Sequence, residues 1–242
     1  MAQVRAPIVP SRLYRYRSLT RSATALEEEI ASIRDNYLYF ASFTSMNDPM
    51  EGFFRPSRIL RGKSDYKKIV RDITKAKSEI GIACFSETYE NILMWAHYAG
   101  NYAGMCFAYS PSDLLDGLPD DASLVRLAYV DAPPQLLKSH ATDAGDAAVR
   151  VLSQKQYNWA YEREWRVLGG TGPMSYGHKQ AIRSIFFGSR IKTNHKAQVL
   201  LAIRGTTIKA YMMEISGYEH SWEPIDDSPK GPKAKAPKTR AK

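Results

Sequence analysis

Apolar and polar residues follow two different periods along this chain, and together they predict strands and helices. Short runs rich in aromatic and aliphatic residues are typical of strands. Leu26, Ile30 and Ile33, three or four positions apart, lie on one face of a helix. The predicted strands are residues 13–16, 37–43, 80–85, 104–109, 124–130, 164–168, 182–187 and 208–215, and the predicted helices are residues 24–36, 64–77, 91–99, 111–117, 147–157 and 193–205.

Local signals sharpen several of these predictions. Thr24 and Glu27 have the spacing of a capping box. Residues 91–99 have almost no polar face, so we expect an internal helix with a buried Trp95. Pro133 and Pro134 predict a loop over residues 131–146. Helices and strands alternate without a regular βαβ rhythm, which predicts an α+β fold with a mixed or antiparallel sheet and flanking helices.

Composition indicates an ordinary globular chain, with 44% apolar and 24% charged residues. No apolar run approaches the ~18 residues of a membrane span, and the first residues lack a signal-peptide pattern. We therefore predict a cytoplasmic protein with no membrane partner. Cys84 and Cys106 lie in apolar, strand-like stretches, and two buried thiols are favoured over a disulfide.

The formal charge of +9 is concentrated near the end of the chain. Residues 228–242 hold six Lys and Arg and no acid, so the rest of the chain carries 9 − 6 = +3. The predicted organisation is an N-terminal lead (residues 1–10), a single domain (11–227) and a disordered basic tail (228–242). Such a tail either binds polyanions loosely or is simply solvated.

The most informative segment is Glu162-Arg163-Glu164-Trp165, which Arg166 follows. Trp159 and Tyr161 precede it, so charged groups alternate with large aromatic side chains. On a strand, Glu162 and Glu164 would project from the same face, with an arginine to compensate their repulsion. The mixture favours a partly buried polar site, and the alternative is a surface salt-bridge ladder of small energetic value.

Two other segments carry candidate site residues. Asn47-Asp48-Pro49 is first of all a turn, and Asp48 or Glu51 alternatively lines a cleft at a strand end. Ser86 follows a predicted strand, and His97 and Tyr98 lie on the next helix. Without a Gly-x-Ser-x-Gly elbow a hydrolase triad is disfavoured. The five histidines are scattered and no zinc-ligand spacing exists, so no metal site is predicted.

Taken in order, these segments resemble one bacterial family, the domain of unknown function numbered 2971. The similarity extends over about residues 11–215 and implies a family without established chemistry. It is carried by Leu13-Tyr14-Arg15-Tyr16, Tyr37-Leu38-Tyr39-Phe40-Ala41-Ser42, Asn47-Asp48-Pro49-Met50-Glu51-Gly52, Cys84-Phe85-Ser86-Glu87, Met94-Trp95-Ala96-His97-Tyr98-Ala99, Gly104-Met105-Cys106-Phe107 and Trp159-Ala160-Tyr161-Glu162-Arg163-Glu164-Trp165-Arg166.

More distantly, the layout resembles that of ADP-ribosyltransferases, with an early Arg on a strand, a Ser after a central strand and a late Glu-x-Glu. This resemblance implies NAD as the cofactor, Arg15 as the cradle of its phosphates or ribose, Tyr98 as a nicotinamide stacker and Glu164 as the catalytic carboxylate. The Ser-Thr-Ser strand of that class is absent from the sequence, and Trp165 departs from its pattern.

The sequence thus predicts a polar cleft for a nucleotide or a nucleic acid. Its rival is a non-enzymatic nucleic-acid-binding module, for example in phage defence. The substrate, the acceptor and the oligomeric state stay open at this point. The candidate catalytic residues are Glu164, Glu162 and His97, and the candidate ligand-binding residues are Arg15, Ser86, Tyr98, Arg166 and Asp48.

Overall fold

The computed structural model describes residues 3–5, 8–177 and 180–225. The predicted basic tail lies outside the described residues. The helices are α1 (Ala25–Arg34), α2 (Arg58–Arg61), α3 (Tyr66–Glu79), α4 (Ile92–Tyr98), α5 (Pro111–Gly117), α6 (Ala144–Leu152) and α7 (Thr193–Ala202). The strands are β1 (Gln3–Arg5), β2 (Leu13–Arg17), β3 (Tyr37–Ser42), β4 (Arg55–Pro56), β5 (Gly81–Ser86), β6 (Met105–Tyr109), β7 (Ser123–Arg126), β8 (Ala128–Val130), β9 (Gln135–Leu136), β10 (Gln154–Gln156), β11 (Glu164–Gly169), β12 (Gly172–Ser175), β13 (Ile182–Phe187), β14 (Lys209–Ser216) and β15 (Glu219–Pro224).

Eleven of the described strands form one mixed, mostly antiparallel sheet, which confirms the predicted α+β fold. The strand order is β1-β7-β11-β5-β2-β6-β13-β14-β15; β3 also pairs with β5, and β12 pairs with β3. The join between β5 and β2 is the weakest in this order. In the described chain it consists of one residue pair, Tyr14 with Ser86, whereas β2 pairs with β6 along its whole length. We call this join the seam.

The two faces of the sheet carry different cores because side chains alternate along each strand. On β11, Trp165 and Val167 face a large apolar core that includes residues of α1, α5 and α7. Leu168, one residue further, faces the other side and packs near Leu152 of α6. Trp95 of α4 covers the far part of that second face, beyond the seam.

Several local predictions are corrected. Thr24 precedes α1, but its hydroxyl donates to the carboxylate of Glu28 (2.6 Å), so the predicted capping box does not form. Helix α4 is not wholly internal. Trp95 is fully buried as predicted, whereas Ile92 and Leu93 are 56% and 45% exposed. A seven-residue helix turns its sides to both core and solvent, and apolar composition alone does not show which side is covered.

Further corrections concern the strands. The predicted strand over residues 124–130 is two strands with different partners, since β7 pairs with β11 whereas β8 pairs with β10. The sequence predicted no strand after residues 208–215, whereas β15 follows and pairs with β14 in an antiparallel hairpin. The predicted loop over residues 131–146 contains the short strand β9 and the start of α6.

The structure also bears on the two cysteines and on membrane-spanning segments. Cys84 and Cys106 are free thiols, and Cys106 is buried whereas Cys84 is half-buried. Among the described residues no helix has the length and apolar character to cross a bilayer.

Candidate functional site

Glu162 and Glu164 lie close together, but they do not belong to one strand as predicted. Glu162 ends a 3₁₀ helix, Tyr157–Glu162, and only Glu164 belongs to β11. Between them Arg163 adopts the left-handed conformation, with φ 47° and ψ 50°. The expectation that both carboxylates project from one strand face is therefore wrong. The left-handed residue reverses the direction of the backbone, and both carboxylates reach the same lysine.

That lysine is Lys155, on the short strand β10. Its Nζ donates to Glu162 Oε2 (2.6 Å) and to Glu164 Oε2 (3.0 Å), and its side chain is only 5% exposed. The ammonium also lies 5.0 Å from the ring centre of Trp159. A buried cation between two carboxylates removes most of the repulsion that burial would otherwise amplify.

Arg166 binds the other side of Glu164. Its Nε and one terminal nitrogen donate to the two oxygens of Glu164 (2.8 and 3.2 Å). Its two terminal nitrogens also donate to the two oxygens of Glu51 (2.8 and 3.0 Å), and one of them donates to the carbonyl of Leu152 (2.8 Å). The Arg166 side chain is fully buried. All its donor groups are satisfied within the protein, so Arg166 holds the Glu51 loop against β11.

These five side chains form a buried network with one surplus negative charge. We call Glu51, Lys155, Glu162, Glu164 and Arg166 the carboxylate network. Three carboxylates face two cations, and every side chain in it is at most 5% exposed. The buried Lys77, outside the network, interacts with Glu51. A buried surplus charge is costly, which favours a proton on one of the carboxylates.

The pKa values identify that carboxylate as Glu162. Burial raises the pKa of Glu162 to about 7, and Lys155 opposes this rise only in part while Glu164 adds to it. Burial acts in the same direction on Glu164, but Arg166 and Lys155 outweigh it and lower the pKa of Glu164 to about 2. At neutral pH, Glu164 is ionised and Glu162 is near its point of half-titration.

Glu162 has a second polar neighbour. The hydroxyl of Tyr98 donates to Glu162 Oε1 in a short hydrogen bond, and the amide of Asn47 donates to the same hydroxyl (2.8 Å). Burial, reinforced by Glu162, raises the pKa of Tyr98 well above its ordinary value, so Tyr98 stays a proton donor. The chain Asn47–Tyr98–Glu162 connects the exposed Asn47 with the buried carboxylate.

A cleft of about 310 Å³ opens at the seam, above this network. It brings together five of the eight candidate site residues, namely Arg15, Ser86, Tyr98, Glu162 and Glu164, and Lys155 lines it as well. Ser86 is fully buried, and its hydroxyl donates to the carbonyl of Glu162 (2.7 Å). Ser86 therefore fixes the backbone of the site.

The other three candidates lie elsewhere. Arg166 is beneath the cleft, within the carboxylate network. Asp48 lines a neighbouring cleft of about 340 Å³, which Lys155 and Glu51 also line. His97 is exposed and does not line the seam cleft, and its ring centre is 6.3 Å from those of Tyr98 and Tyr161.

Arg15 and Tyr14 are neighbours on β2, and their side chains lie on opposite faces of the sheet. One terminal nitrogen donates to the carbonyl of Tyr39 (3.0 Å), and the guanidinium lies 5.9 Å from the ring centre of Phe85. Within the described chain Arg15 makes no ion pair, although only 9% of the residue is exposed. Burial, with a smaller effect of Arg17, lowers the pKa of Arg15 to about 10. It remains a cation at neutral pH.

Sequence reasoning missed Lys155 and the role of Asn47. Lys155 falls in a stretch predicted as helix, and no spacing relative to Glu162 distinguishes it from a surface lysine. Tyr129 was also missed, although its hydroxyl accepts a hydrogen bond from the amide of Glu164 (2.7 Å). Of the residues around this site that were not among the predicted site residues, only Glu51 had a signal in the sequence, because it follows the predicted turn at Asp48.

Comparison with known proteins gives one match. A family model described as "Protein of unknown function (DUF2971)" matches residues 94–167, which confirms the predicted resemblance to that family but not the resemblance to ADP-ribosyltransferases. The matched range includes Tyr98, Lys155, Glu162, Glu164 and Arg166. No curated protein and no solved structure gave a significant match.

Proposed function

We propose that the seam cleft binds a nucleotide and that Glu162 acts there as a general acid–base. The observation that carries this proposal is a pair of neighbouring carboxylates whose pKa values the site moves in opposite directions, that of Glu164 down to about 2 and that of Glu162 up to about 7. Environments that separate two such pKa values are typical of acid–base sites. A catalytic base works best when its pKa is near the operating pH.

The sharpest form of the proposal is NAD-dependent ADP-ribosyl transfer. An acceptor O–H or N–H attacks C1′ of the ribose, the bond from C1′ to the nicotinamide nitrogen breaks, and its electron pair leaves with nicotinamide. Ionised Glu162 takes the acceptor proton. Glu164 keeps its negative charge and stabilises the positive charge that develops on the ribose. Tyr98 and Lys155 hold the Glu162 side chain in place.

Ligand binding is tested first. A thermal-shift screen compares NAD, ATP, nucleoside monophosphates and short RNA. A ligand at about 100 times its dissociation constant should stabilise the protein by about 2.7 kcal/mol. Stabilisation by NAD together with nicotinamide release supports the sharp form, and stabilisation by another nucleotide alone supports only the nucleotide site. If no nucleotide shifts the melting temperature, the proposal is wrong.

Chemistry is tested with matched variants. Glu162→Gln and Glu164→Gln keep the shape of each side chain and remove its titratable group. Each should lower nicotinamide release by roughly 100-fold or more, a typical loss for one electrostatic stabiliser. Glu223→Gln, on the exposed β15, is the control. If Glu164→Gln unfolds the protein but the folded fraction retains its activity, Glu164 is only half of a structural ion pair.

The rival proposal is a nucleic-acid-binding module, and it rests on the six unopposed cations of residues 228–242. Contacts of Lys and Arg with phosphates are salt-sensitive and blind to sequence. A chain ending at Asp227 should then lose most of its affinity for DNA and RNA at low salt. Equal affinity of both chains would contradict a role for the tail, whereas turnover of a small substrate is expected to survive the deletion. The free thiols support a cytoplasmic location for either activity.

A further inference from the structure

A third cleft, of about 500 Å³, lies on the other face of the sheet beside the seam. Arg15, Arg17 and Arg21 line it, together with Glu28 and Glu29 of α1. We call it the arginine cleft. Arg15 and Arg17 also line the seam cleft, so the two clefts share a wall made of β2 side chains.

The charges of the arginine cleft are the inverse of those in the carboxylate network. Three guanidinium groups face two carboxylates. Glu29, which is almost fully buried, accepts a hydrogen bond from Arg17 (2.5 Å) and forms an ion pair with Arg21 (3.0 Å), and Glu28 accepts from Arg21 (2.5 Å). The surplus cation is Arg15. The arginine cleft therefore carries one positive charge that none of the described side chains neutralises.

The surplus cation is buried and has unused donors. Arg15 is about nine-tenths buried and donates one hydrogen bond, to Tyr39, among the described residues. A guanidinium offers five N–H donors in a planar fork that fits phosphate oxygens. Behind the cleft, the hydroxyl of Tyr176 is also buried without a partner in the described chain, although Tyr176 does not itself line the cleft. Tyr176 packs edge-on against Tyr109, a residue that lines the arginine cleft.

We propose that the arginine cleft is a subsite for a chain of two or more phosphates, bound by Arg15, Arg17 and Arg21, and that the ligand crosses the seam so that its sugar faces Glu162. The placement rests on the proposed nucleotide site. The phosphate specificity rests on the arginines alone. A monophosphate reaches Arg15 only, whereas a diphosphate reaches the guanidinium pair that Glu29 holds in position.

Isothermal titration calorimetry with pyrophosphate, adenosine, AMP, ADP and NAD tests this subsite. ADP should bind at least roughly tenfold more tightly than AMP, since each additional charged hydrogen bond contributes about that factor. Arg21→Met, at the partly exposed mouth of the cleft, should abolish the difference between ADP and AMP and should leave adenosine binding unchanged. Arg15→Met should weaken pyrophosphate, AMP and ADP alike. Arg12→Met, on an exposed side chain outside both clefts, is the control.

The outcomes separate the two proposals. If ADP and AMP bind the wild-type protein equally, or if Arg21→Met leaves their ratio unchanged, the polyphosphate subsite is wrong while nucleotide binding stands. If pyrophosphate binds in an Arg15-dependent way but adenosine adds nothing to the affinity of ADP, the subsite stands and the nucleotide proposal fails. Absence of binding by every probe overturns both.

Discussion

Arg15 and Arg166 are both buried arginines on strands of the same sheet, and they differ in whether neighbouring carboxylates neutralise their charge. Arg166 donates to Glu51, to Glu164 and to a backbone carbonyl, and the two carboxylates raise its pKa in spite of burial. Arg15 donates to one carbonyl and has no described ion pair, and burial lowers its pKa. The first charge is neutralised by the fold, and the second is not.

The difference indicates which of the two stabilises the protein and which is available to a ligand. A buried ion pair that loses one partner leaves the other charge uncompensated, and the folded state is strongly destabilised. A buried cation without a partner already has that cost in the folded state, so its removal relieves it. Structural and ligand-binding arginines can therefore be distinguished by stability measurements alone.

The largest expected effect comes from Arg166→Met. This change keeps most of the side-chain volume but leaves Glu51 and Glu164 buried without a cation, and it should cost about 3–5 kcal/mol of unfolding free energy. Arg15→Met should stay within about 1 kcal/mol of the wild type, or be more stable. Urea denaturation at pH 7 measures both. Equal losses in the two variants would remove the distinction between these arginines.

Lys155→Met should give the next largest effect, and this effect should depend on pH. Without Lys155, three carboxylates share one cation, so the network should bind a further proton at neutral pH. We expect the variant to lose about 3 kcal/mol at pH 8, where that proton is hardest to retain, and clearly less at pH 5. A loss that is the same at both values would show that Lys155 contributes by packing and not by charge.

Glu162 makes a contribution of opposite pH dependence across the same range. Its native pKa of about 7 exceeds its ordinary value of 4.5, so between these values the folded state binds more protons than the unfolded state. Stability from this group is therefore present below pH 4.5 and is lost as the pH rises to 7, by up to about 1.4 kcal/mol per pH unit. Glu162→Gln should flatten this part of the stability profile. For Glu164, whose pKa is lowered, the sign reverses, and stability is lost as the pH falls from 4.5 towards 2.

Arg163 should show the smallest effect. It belongs to the same short segment as Arg166, but its side chain is 59% exposed and pairs with Glu87 at 2.9 Å. Glu87 keeps Arg126 and the indole of Trp165 as partners when Arg163 is removed. Arg163→Ala should therefore cost less than about 1 kcal/mol, as is usual for surface ion pairs. A loss comparable to that of Arg166→Met would mean that the left-handed turn itself depends on the arginine side chain.

The elements of the sheet were largely predictable from the sequence because apolar runs identify buried strands. The bounds of Ile182–Phe187 were predicted correctly, and the burial of Trp95 was confirmed. Helix α1 ends at Arg34, two residues before Asn36, whose left-handed φ of 51° prevents its continuation. Short polar strands such as β10 were not predictable, since Gln-Lys-Gln carries no apolar pattern and pairs only because the chain around it brings it beside β8.

The candidate site was predictable in its residues but not in its connections. Glu162, Glu164 and Tyr98 were identified, whereas their common partner Lys155 was not. Arg166 binds Glu51, a residue 115 positions away, and no local spacing encodes such a contact. The prediction that Glu162 and Glu164 share one strand face assumed a regular strand through both residues. Arg163, between them, is left-handed, so the backbone is not a regular strand there.

The single residue pair at the seam also has a consequence for motion. Strands β2 and β5 belong to two well-paired parts of the sheet, and between them the described ladder offers only Tyr14 and Ser86. Sheet regions with few cross-strand hydrogen bonds open at lower free energy than fully paired ones. Backbone amides at the seam between β2 and β5 are thus expected to exchange their hydrogen with solvent faster than the amides between β2 and β6. A ligand that contacts both clefts would hold β2 and β5 together, and its binding would slow the hydrogen exchange of backbone amides in both strands.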